Sequence, residues 1–133
     1  MAKVTGIGGV FYKVGDPEKH KSWYKEHLGI ESDQYGGKFV WRDHNNPNIE
    51  CLTAWSPFPV TTRYFDPSKQ AFMVNYRVDD LIGLLADMKA KGIEQIGEME
   101  EYEYGKFAWV IDPDGLKIEL WEPVDGPLLN EDN

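Results

Sequence analysis

Glu119 is the side chain of this sequence that is best placed to do chemistry. It lies in the middle of an apolar run, Leu116 to Trp121, which reads as a β-strand. Successive side chains of a strand point to opposite faces, so Glu119 shares its face with Trp121 and lies opposite Ile118 and Leu120. A carboxylate in that position can bind a metal ion, act as a general base or anchor a polar ligand. Glu119 is therefore the candidate catalytic residue.

A tight turn positions this strand against the preceding apolar run, Lys106 to Ile111. The turn is the segment Asp112 to Gly115, with the sequence DPDG. Proline pre-sets φ at the second position, aspartate accepts hydrogen bonds from nearby backbone, and glycine tolerates the positive φ that closes the turn. The pattern predicts a β-hairpin that holds Glu119 in a sheet.

The first half of the chain predicts one helix among short strands. Asp16 can cap a helix that begins at Pro17 and ends before Gly29, with Trp23, Tyr24 and Leu28 as its buried stripe. His20 and His27 lie among charged residues, so we interpret them as a solvated face rather than a metal pair. The predicted strands are Ile7 to Val14, residues 31–35 and 38–43, and Ile49 to Trp55.

The second half repeats this order after an irregular, proline-containing stretch, Ser56 to Gln70. Ala71 to Val78 and Ile93 to Gly97 are the predicted strands that flank the second helix. Asp79 or Asp80 caps this helix, and Gly92 ends it. Its predicted buried stripe, at helical spacing, is Leu81, Leu84, Leu85 and Met88.

An acidic segment then leads into the hairpin. Its four glutamates can attract a cationic ligand, but a solvated edge that discourages aggregation is the favoured interpretation. Tyr102 and Tyr104 either line the entrance of a groove or cover the edge of the sheet. The glutamates are Glu98, Glu100, Glu101 and Glu103.

Matches at a nearly constant offset of about 63 to 68 residues indicate an internal duplication. Two βαβββ modules follow, at residues of about 5–57 and 71–123, with a linker at about 58–70 and a tail at 124–133. We expect them to form one α+β domain with half-barrel sheets and helices on the outside. The matched pairs are Val14 with Val78, Gly29 with Gly92, Gly37 with Gly105, Trp41 with Trp109, Trp55 with Trp121 and Pro57 with Pro123.

This layout, together with the DPDG turn and the IELWE strand, resembles the vicinal oxygen chelate superfamily. That group includes glyoxalase I, bleomycin-resistance proteins, fosfomycin-resistance proteins and extradiol dioxygenases. The resemblance covers the chain up to Trp121. In metal-dependent members, as the resemblance implies, side chains from the first and last strands of both modules hold a divalent ion with open positions for substrate.

The four positions that the resemblance assigns to metal ligands hold only one good donor in this chain. The histidine position of the first strand falls on Gly9, and its counterpart in the second module falls on Met73, whose thioether suits hard cations poorly. When the two modules are aligned so that Trp55 matches Trp121, Thr53 is the counterpart of Glu119. A different alignment would make Glu50 that counterpart. We therefore expect no metal site and no cofactor, and a divalent metal is disfavoured.

The replacements instead favour a pocket for an organic ligand, with Glu119 as its polar anchor and an ion pair between Arg77 and Glu119. The alternative is a closed core in which Glu119 is a structural partner of Lys13 or Arg77. His44 is interpreted as an exposed turn residue. The predicted ligand-binding residues are Phe11, Thr53, Trp55, Met73, Asn75, Arg77, Glu119 and Trp121.

Three functions follow from these patterns. The first is a metal-independent protein that binds a small organic molecule between its modules, as bleomycin-resistance proteins do, and forms a homodimer. The second is a glyoxalase-like lyase or isomerase, or a dioxygenase, that uses Glu119 as a base or in an atypical metal site with Glu50 and His44. The third is a purely structural module whose groove is filled.

The composition restricts the partners and the compartment. The 133 residues carry 23 acidic and 14 basic side chains, a formal net charge of −9, which repels phosphate backbones and anionic lipids. Nucleic-acid and membrane binding are therefore not expected. A single cysteine, Cys51, allows no internal disulfide, and no signal peptide or membrane span is apparent, so we expect a soluble cytoplasmic protein.

Overall fold

A computed structural model describes residues 1–129 of the chain. The described part consists of seven strands and three helices. In chain order they are β1 (Val4–Val14), α1 (Pro17–Leu28), β2 (Gly37–Arg42), β3 (Glu50–Pro59), β4 (Phe72–Val78), α2 (Leu81–Ala90), β5 (Glu100–Tyr102), β6 (Gly105–Ile111), β7 (Lys117–Pro123) and α3 (Gly126–Leu129).

One mixed sheet contains all seven strands in the order β2-β3-β1-β4-β7-β6-β5. Its centre is the antiparallel pair β1 and β4, and on each side the next strand is parallel, β3 beside β1 and β7 beside β4. The β6–β7 hairpin mirrors the antiparallel pair β2 and β3. This repeated arrangement confirms the α+β class and the duplicated layout of the sheet.

The two long helices begin at the predicted caps. The Asp16 carboxylate accepts from the backbone N–H of Lys19 at 3.1 Å, and that of Asp80 accepts from the N–H of Gly83 at 3.0 Å. Each interaction satisfies an N–H that lacks a partner within its helix. Gly29 ends α1 in the left-handed conformation, with φ of 70°.

Helix α2 packs as predicted, whereas α1 does not. Leu81 is fully buried against Val78 and Leu120, with the other predicted stripe residues of α2 around them. On α1, however, Trp23 is 53% exposed and Leu28 is 59% exposed. The predicted stripe is wrong for these two residues, and of its three members only Tyr24 packs on the sheet.

The packed face of α1 is instead formed by His20, Lys21 and Tyr24. His20 stacks on Trp55 of β3 with ring centroids 6.0 Å apart, and the Tyr24 ring packs against Trp55 in a tilted arrangement at 5.2 Å. Lys21 buries its stem, and its ammonium donates to the carbonyl oxygen of Asp33 at 3.0 Å. A polar-looking helix face is thus the buried one, and His20 is not on a solvated face.

Two predicted strands reduce to isolated bridges. In residues 31–35, the Asp33 carboxylate accepts from the N–H of Tyr35 at 2.8 Å, and this local turn leaves only the bridge from Asp33 to Gly36. In residues 93–97, Gln95 makes the only bridge, to Val110, before the chain turns at Gly97. The strand predicted at Ile49 to Trp55 instead extends to Pro59, four residues beyond its predicted end and two residues into the expected linker.

The described helices include none that is long and apolar enough to cross a bilayer.

Candidate functional site

A cavity of about 850 Å³ opens on the face of the sheet opposite to α2. Residues of β2 and of β5, the two end strands of the sheet, both line it. The sheet must therefore curl around the cavity, as a half-barrel does. The aromatic side chains that line it include Phe11, Phe58, Tyr64, Phe107, Trp109 and Trp121.

The aromatic walls are fixed by stacking. The rings of Phe58 and Tyr64 are 5.8 Å apart and nearly parallel, and those of Phe107 and Trp121 have the same separation and are also nearly parallel. Trp109 meets Tyr64 edge to face at 6.3 Å. Such contacts hold the rings in place before a ligand arrives.

Glu119 lies at the polar floor of this cavity and is 2% exposed. Its carboxylate accepts from Asn75 Nδ2 at 2.6 Å, from Trp109 Nε1 at 2.8 Å and from the hydroxyl of Tyr64 through a short hydrogen bond. All three donors are neutral groups. Burial, and then the charge of Glu119, raises the pKa of Tyr64 above its ordinary value, so its hydroxyl remains a donor.

Lys117 is a cation near this carboxylate, but it is directed elsewhere. Its ammonium lies 5.3 Å from the centre of the Tyr64 ring and 5.8 Å from that of Trp109. It donates to the carbonyl oxygen of Tyr64 at 2.7 Å. Burial lowers the pKa of Lys117, and the negative charge of Glu119 acts in the opposite direction.

The predicted ion pair between Arg77 and Glu119 does not form. Arg77 makes a bidentate pair with Asp125, in which both N–O distances are 2.6 Å. Its guanidinium also lies between two indoles, 5.3 Å from Trp41 and 5.2 Å from Trp121. Asp125 follows β7 in the expected tail. No pattern in the sequence there indicates that it is the partner of Arg77.

The structure brings four of the eight predicted ligand-binding residues to the cavity: Phe11, Asn75, Glu119 and Trp121. Met73 is 1% exposed and packs with Phe11, Phe65 and Trp109 beside it. Arg77 is occupied by Asp125. Ligand binding by any of these residues stays a prediction.

Thr53 and Trp55 lie on the opposite face of the sheet from Glu119, so the predicted match was wrong in register. The cavity-lining residues of β3 are Leu52, Ala54, Ser56 and Phe58, which alternate with Thr53 and Trp55. Trp55 instead donates to the hydroxyl of Tyr12 at 3.0 Å under α1. A shift of one residue moves every side chain of a strand to the other face. The alignment of Trp55 with Trp121 is off by one residue in this way, because Ala54, not Thr53, is level with Glu119 in the sheet.

The residues level with Glu119 in the sheet are small. Hydrogen-bonding register places Glu119 beside Asn75, Asn75 beside Gly9 and Gly9 beside Ala54. A Cβ at Gly9 would lie 2.8 Å from Phe11, and a Cβ at Gly8 would collide with Asn75 Oδ1. The glycines therefore make room for the cavity floor, where a histidine ligand does not fit.

The donor set does not fit a divalent metal. No group of three or more His, Cys, Asp or Glu side chains in residues 1–129 is arranged to hold an ion. His44, Glu50 and Glu119, considered as atypical ligands, do not come together: His44 and Glu50 are exposed, and Glu119 is buried. A site with Glu119 as its sole carboxylate supplies too few ligands.

Sequence reasoning missed Tyr64 and Trp109, the other two groups that bind Glu119 with Asn75. Tyr64 lies in the irregular stretch between the modules, where proline and aromatic residues gave no spacing that points to a site. Trp109 had a signal, because it lies opposite Glu119 in the β6–β7 register of the hairpin. Tyr102 and Tyr104 line the cavity, as one of the two interpretations of them expected, and Glu100 lines it too.

The comparison with protein families identifies this fold. The model of the Glyoxalase/Bleomycin resistance protein/Dioxygenase superfamily matches residues 6–120. The chain belongs to this superfamily. The resemblance to vicinal oxygen chelate proteins is thereby confirmed, while a search of the curated proteins finds no match.

Solved structures share the fold of this vicinal oxygen chelate protein at low sequence identity. Methylmalonyl-CoA epimerase from Mycobacterium tuberculosis is 20% identical, with a TM-score of 0.56 over 91% of this chain and 89% of that one. A single-residue variant of the Streptomyces coelicolor epimerase, in complex with 2-nitronate-propionyl-CoA, is 12% identical, with a TM-score of 0.65 over 92% and 99%. The Mn(II)-bound glyoxalase from Novosphingobium aromaticivorans is 20% identical, with a TM-score of 0.60 over 92% and 40%. These likenesses concern the fold alone.

Proposed function

We propose that this vicinal oxygen chelate protein binds a small, largely flat organic molecule in its cavity, without a metal ion. The observation that supports the proposal is the cavity itself: about 850 Å³, walled by stacked aromatic rings, over one buried carboxylate. Ligand pockets of about 300–1,000 Å³ with apolar walls and a few convergent polar groups are typical of small-molecule sites. A filled groove, as a purely structural module requires, disagrees with this volume.

Chemistry on the ligand has less support. A general base needs a free lone pair directed at the substrate, and three protein donors occupy most of the roughly four lone-pair sites of the Glu119 carboxylate. A lyase, isomerase or dioxygenase that uses Glu119 as a base, or as part of an atypical metal site, is therefore the second candidate. The observation that favours this candidate is that Glu119 lines the cavity, where it can contact a substrate.

A neutral fluorescent probe tests the binding proposal directly. N-phenyl-1-naphthylamine should gain fluorescence on addition of the protein, in the presence or absence of EDTA. Ala54→Trp, which fills the cavity, should abolish the gain, while Ala86→Trp on the exposed face of α2 should not. Fluorescence that is equal in all three proteins, or that requires added metal, would overturn the proposal.

Turnover assays distinguish the second candidate, an enzyme, from the binding proposal. Wild type and Glu119→Gln are incubated with a glyoxalase substrate, with and without added Mn²⁺, Ni²⁺ or Zn²⁺. The binding proposal expects no turnover in either protein. Turnover that is lost in the variant while its circular dichroism spectrum is unchanged would establish the enzyme instead.

The assembly and compartment are also part of the proposal. A homodimer is supported by apolar side chains left uncovered on β1 and β4, where Ile7, Val10 and Phe72 are 42%, 40% and 42% exposed. Light scattering after gel filtration should give twice the mass of 15.3 kDa, and a monomer would contradict this part. A reducing compartment such as the cytoplasm fits the free cysteine, Cys51.

A further inference from the structure

We propose that the ligand of this cavity is an aromatic organic cation, such as a ring system that carries a protonated amine or an amidinium group. The inference rests on the proposed binding function and adds the chemical class of the ligand. It follows from three features of the cavity: an uncompensated carboxylate, an excess of hydrogen-bond acceptors, and aromatic faces suited to a cation.

The carboxylate at the floor has no cationic partner among the described residues. Its hydrogen bonds come from neutral donors, and the nearby Lys117 donates to a backbone carbonyl instead. Within the described residues, no Lys, Arg or His makes a salt bridge with Glu119. A buried charge of this kind is stabilised when an opposite charge approaches it in a medium of low dielectric constant.

Asn75 adds an unused acceptor beside that charge. It is 2% exposed, and its amide nitrogen donates to Glu119. Its carbonyl oxygen, Asn75 Oδ1, has no donor among the described residues. Trp109 and Tyr64 already donate their N–H and O–H groups to Glu119. Of this cluster's side-chain donors, the second N–H of Asn75 is left over, while the acceptors left over are Asn75 Oδ1 and the remaining lone pair of Glu119. Acceptors are therefore in excess at the floor, and a complementary ligand group must mainly donate hydrogen bonds.

The entrance of the cavity carries the same sign of charge. Glu31, Asp33 and Glu100 line it, with Glu31 3.5 Å from the Lys25 ammonium outside the lining, while Lys38 is the one basic residue among the lining residues that the structure describes. The Lys38 ammonium donates to the carbonyl oxygen of Leu128 at 2.8 Å. With a net charge of −9 on the whole chain, the field at this mouth attracts cations and repels anions.

The aromatic walls suit a cation as well as a flat apolar body. The chain's own cations already use these rings: Arg77 lies 5.2 Å from the centre of Trp121, and Lys117 lies 5.8 Å from that of Trp109. Ring faces within about 6 Å of a positive charge attract it through their quadrupole. A bound ammonium or amidinium would gain this attraction together with the Glu119 charge.

Isosteric probes of different charge test the inference. 1-Naphthylmethylammonium, 1-naphthoate and the neutral 1-naphthalenemethanol are compared by displacement of N-phenyl-1-naphthylamine at pH 7. The cation should displace the dye at a concentration at least about tenfold lower than the anion, with the alcohol between them. Equal displacement by cation and anion, or better displacement by the anion, would overturn the inference while leaving the binding proposal intact.

A charge variant locates the effect. Glu119→Gln should reduce the preference for the cation over the alcohol by about tenfold, whereas Glu103→Gln, an exposed change outside the cavity lining with the same net charge, should leave it unchanged. Asn75→Ala, which removes the acceptor without changing charge, is the second variant if Glu119→Gln does not fold, and it too should weaken the cation. An unchanged preference in a folded cavity variant would contradict the inference. A dye that binds no protein at all would instead defeat the proposed function.

Discussion

Two buried charges on neighbouring strands of this protein are accommodated in opposite ways. Arg77 on β4 is 4% exposed and is neutralised by the bidentate carboxylate of Asp125, with both distances 2.6 Å. Glu119 on β7 is 2% exposed and is surrounded by neutral donors. The first charge is paired within the chain, and the second has no cationic partner among the described residues.

The difference separates a structural centre, at Arg77, from the proposed binding centre, at Glu119. A buried ion pair with complete hydrogen bonding holds segments together, here β4, the carbonyl oxygen of Leu52 on β3 and the segment after β7. A buried carboxylate with neutral partners remains a source of negative potential in the cavity. Arg77 was predicted as a ligand-binding residue, yet its contacts are those of a structural residue.

The largest expected effect comes from breaking the paired centre. Asp125→Asn leaves the Arg77 charge buried with a weaker acceptor, so the free energy of unfolding should fall by about 3–5 kcal/mol. Urea unfolding followed by tryptophan fluorescence measures it. A loss below about 1 kcal/mol, the value of an exposed pair, would show that the two centres do not differ as described.

A methyl group between the two centres should disturb both. A Cβ at Gly8 would collide with Asn75 Oδ1 and lie 3.0 Å from Arg77 Cγ. Gly8→Ala should therefore cost about 1–3 kcal/mol, the usual range for overpacking, and should also weaken binding of the naphthyl cation. Gly15→Ala, at a glycine with open space around its Cβ position, is the matched control. Equal stability of the two variants would contradict the packing of the floor.

Removal of one neutral donor should be milder. Tyr64→Phe deletes a hydrogen bond to the Glu119 carboxylate, and the expected loss is about 1.5 kcal/mol, the lower end for bonds to charged groups, because Asn75 and Trp109 still donate to that carboxylate. The cation preference should persist, since the carboxylate remains. If the preference disappeared with the hydroxyl, Tyr64 rather than Glu119 would be the anchor.

The smallest effect is expected away from both centres, under α1. The Tyr12 hydroxyl accepts from Trp55 and lies 2.7 Å from His20 Nε2, to which it can donate only when that nitrogen is unprotonated. Burial lowers the pKa of His20 below its ordinary value of 6.5. The unfolded chain therefore binds this proton more readily, so the stability present above pH 6.5 should decline slightly as the pH falls through that value.

Two variants check this pH dependence. His20→Gln should flatten the decline in the free energy of unfolding between about pH 7.5 and pH 5.5, and His27→Gln should leave it unchanged. The slope would have another origin if His20→Gln left it intact.

Local patterns predicted much of the fold, and long-range contacts account for what they missed. The hairpin, the caps at Asp16 and Asp80 and the opposite faces of Glu119 and Leu120 each depend on a few adjacent residues, so they can be recognised in sequence. The contact of Arg77 with Asp125 joins residues 48 positions apart, and that of Tyr64 with Glu119 joins residues 55 apart. No local pattern encodes either one.

The prediction of which β3 side chains face the cavity was wrong for a different reason. Aligning tryptophans between the modules matched residue types, whereas the faces are set by strand pairing. Gly9 pairs with both Ala54 and Asn75, and Asn75 pairs with Glu119, so Ala54 rather than Thr53 is level with Glu119. Matches of residue type therefore established the duplication without establishing which β3 side chains face the cavity.

The most direct test of Glu119 as the anchor is a crystal structure of the protein with bound 1-naphthylmethylammonium. We expect the naphthyl ring between the aromatic walls and the ammonium nitrogen within hydrogen-bond distance of Glu119, with Arg77 still paired to Asp125. An ammonium held only by the carboxylates at the entrance, or a probe outside the cavity, would contradict the claim that the unpaired charge of Glu119 is the anchor of the site.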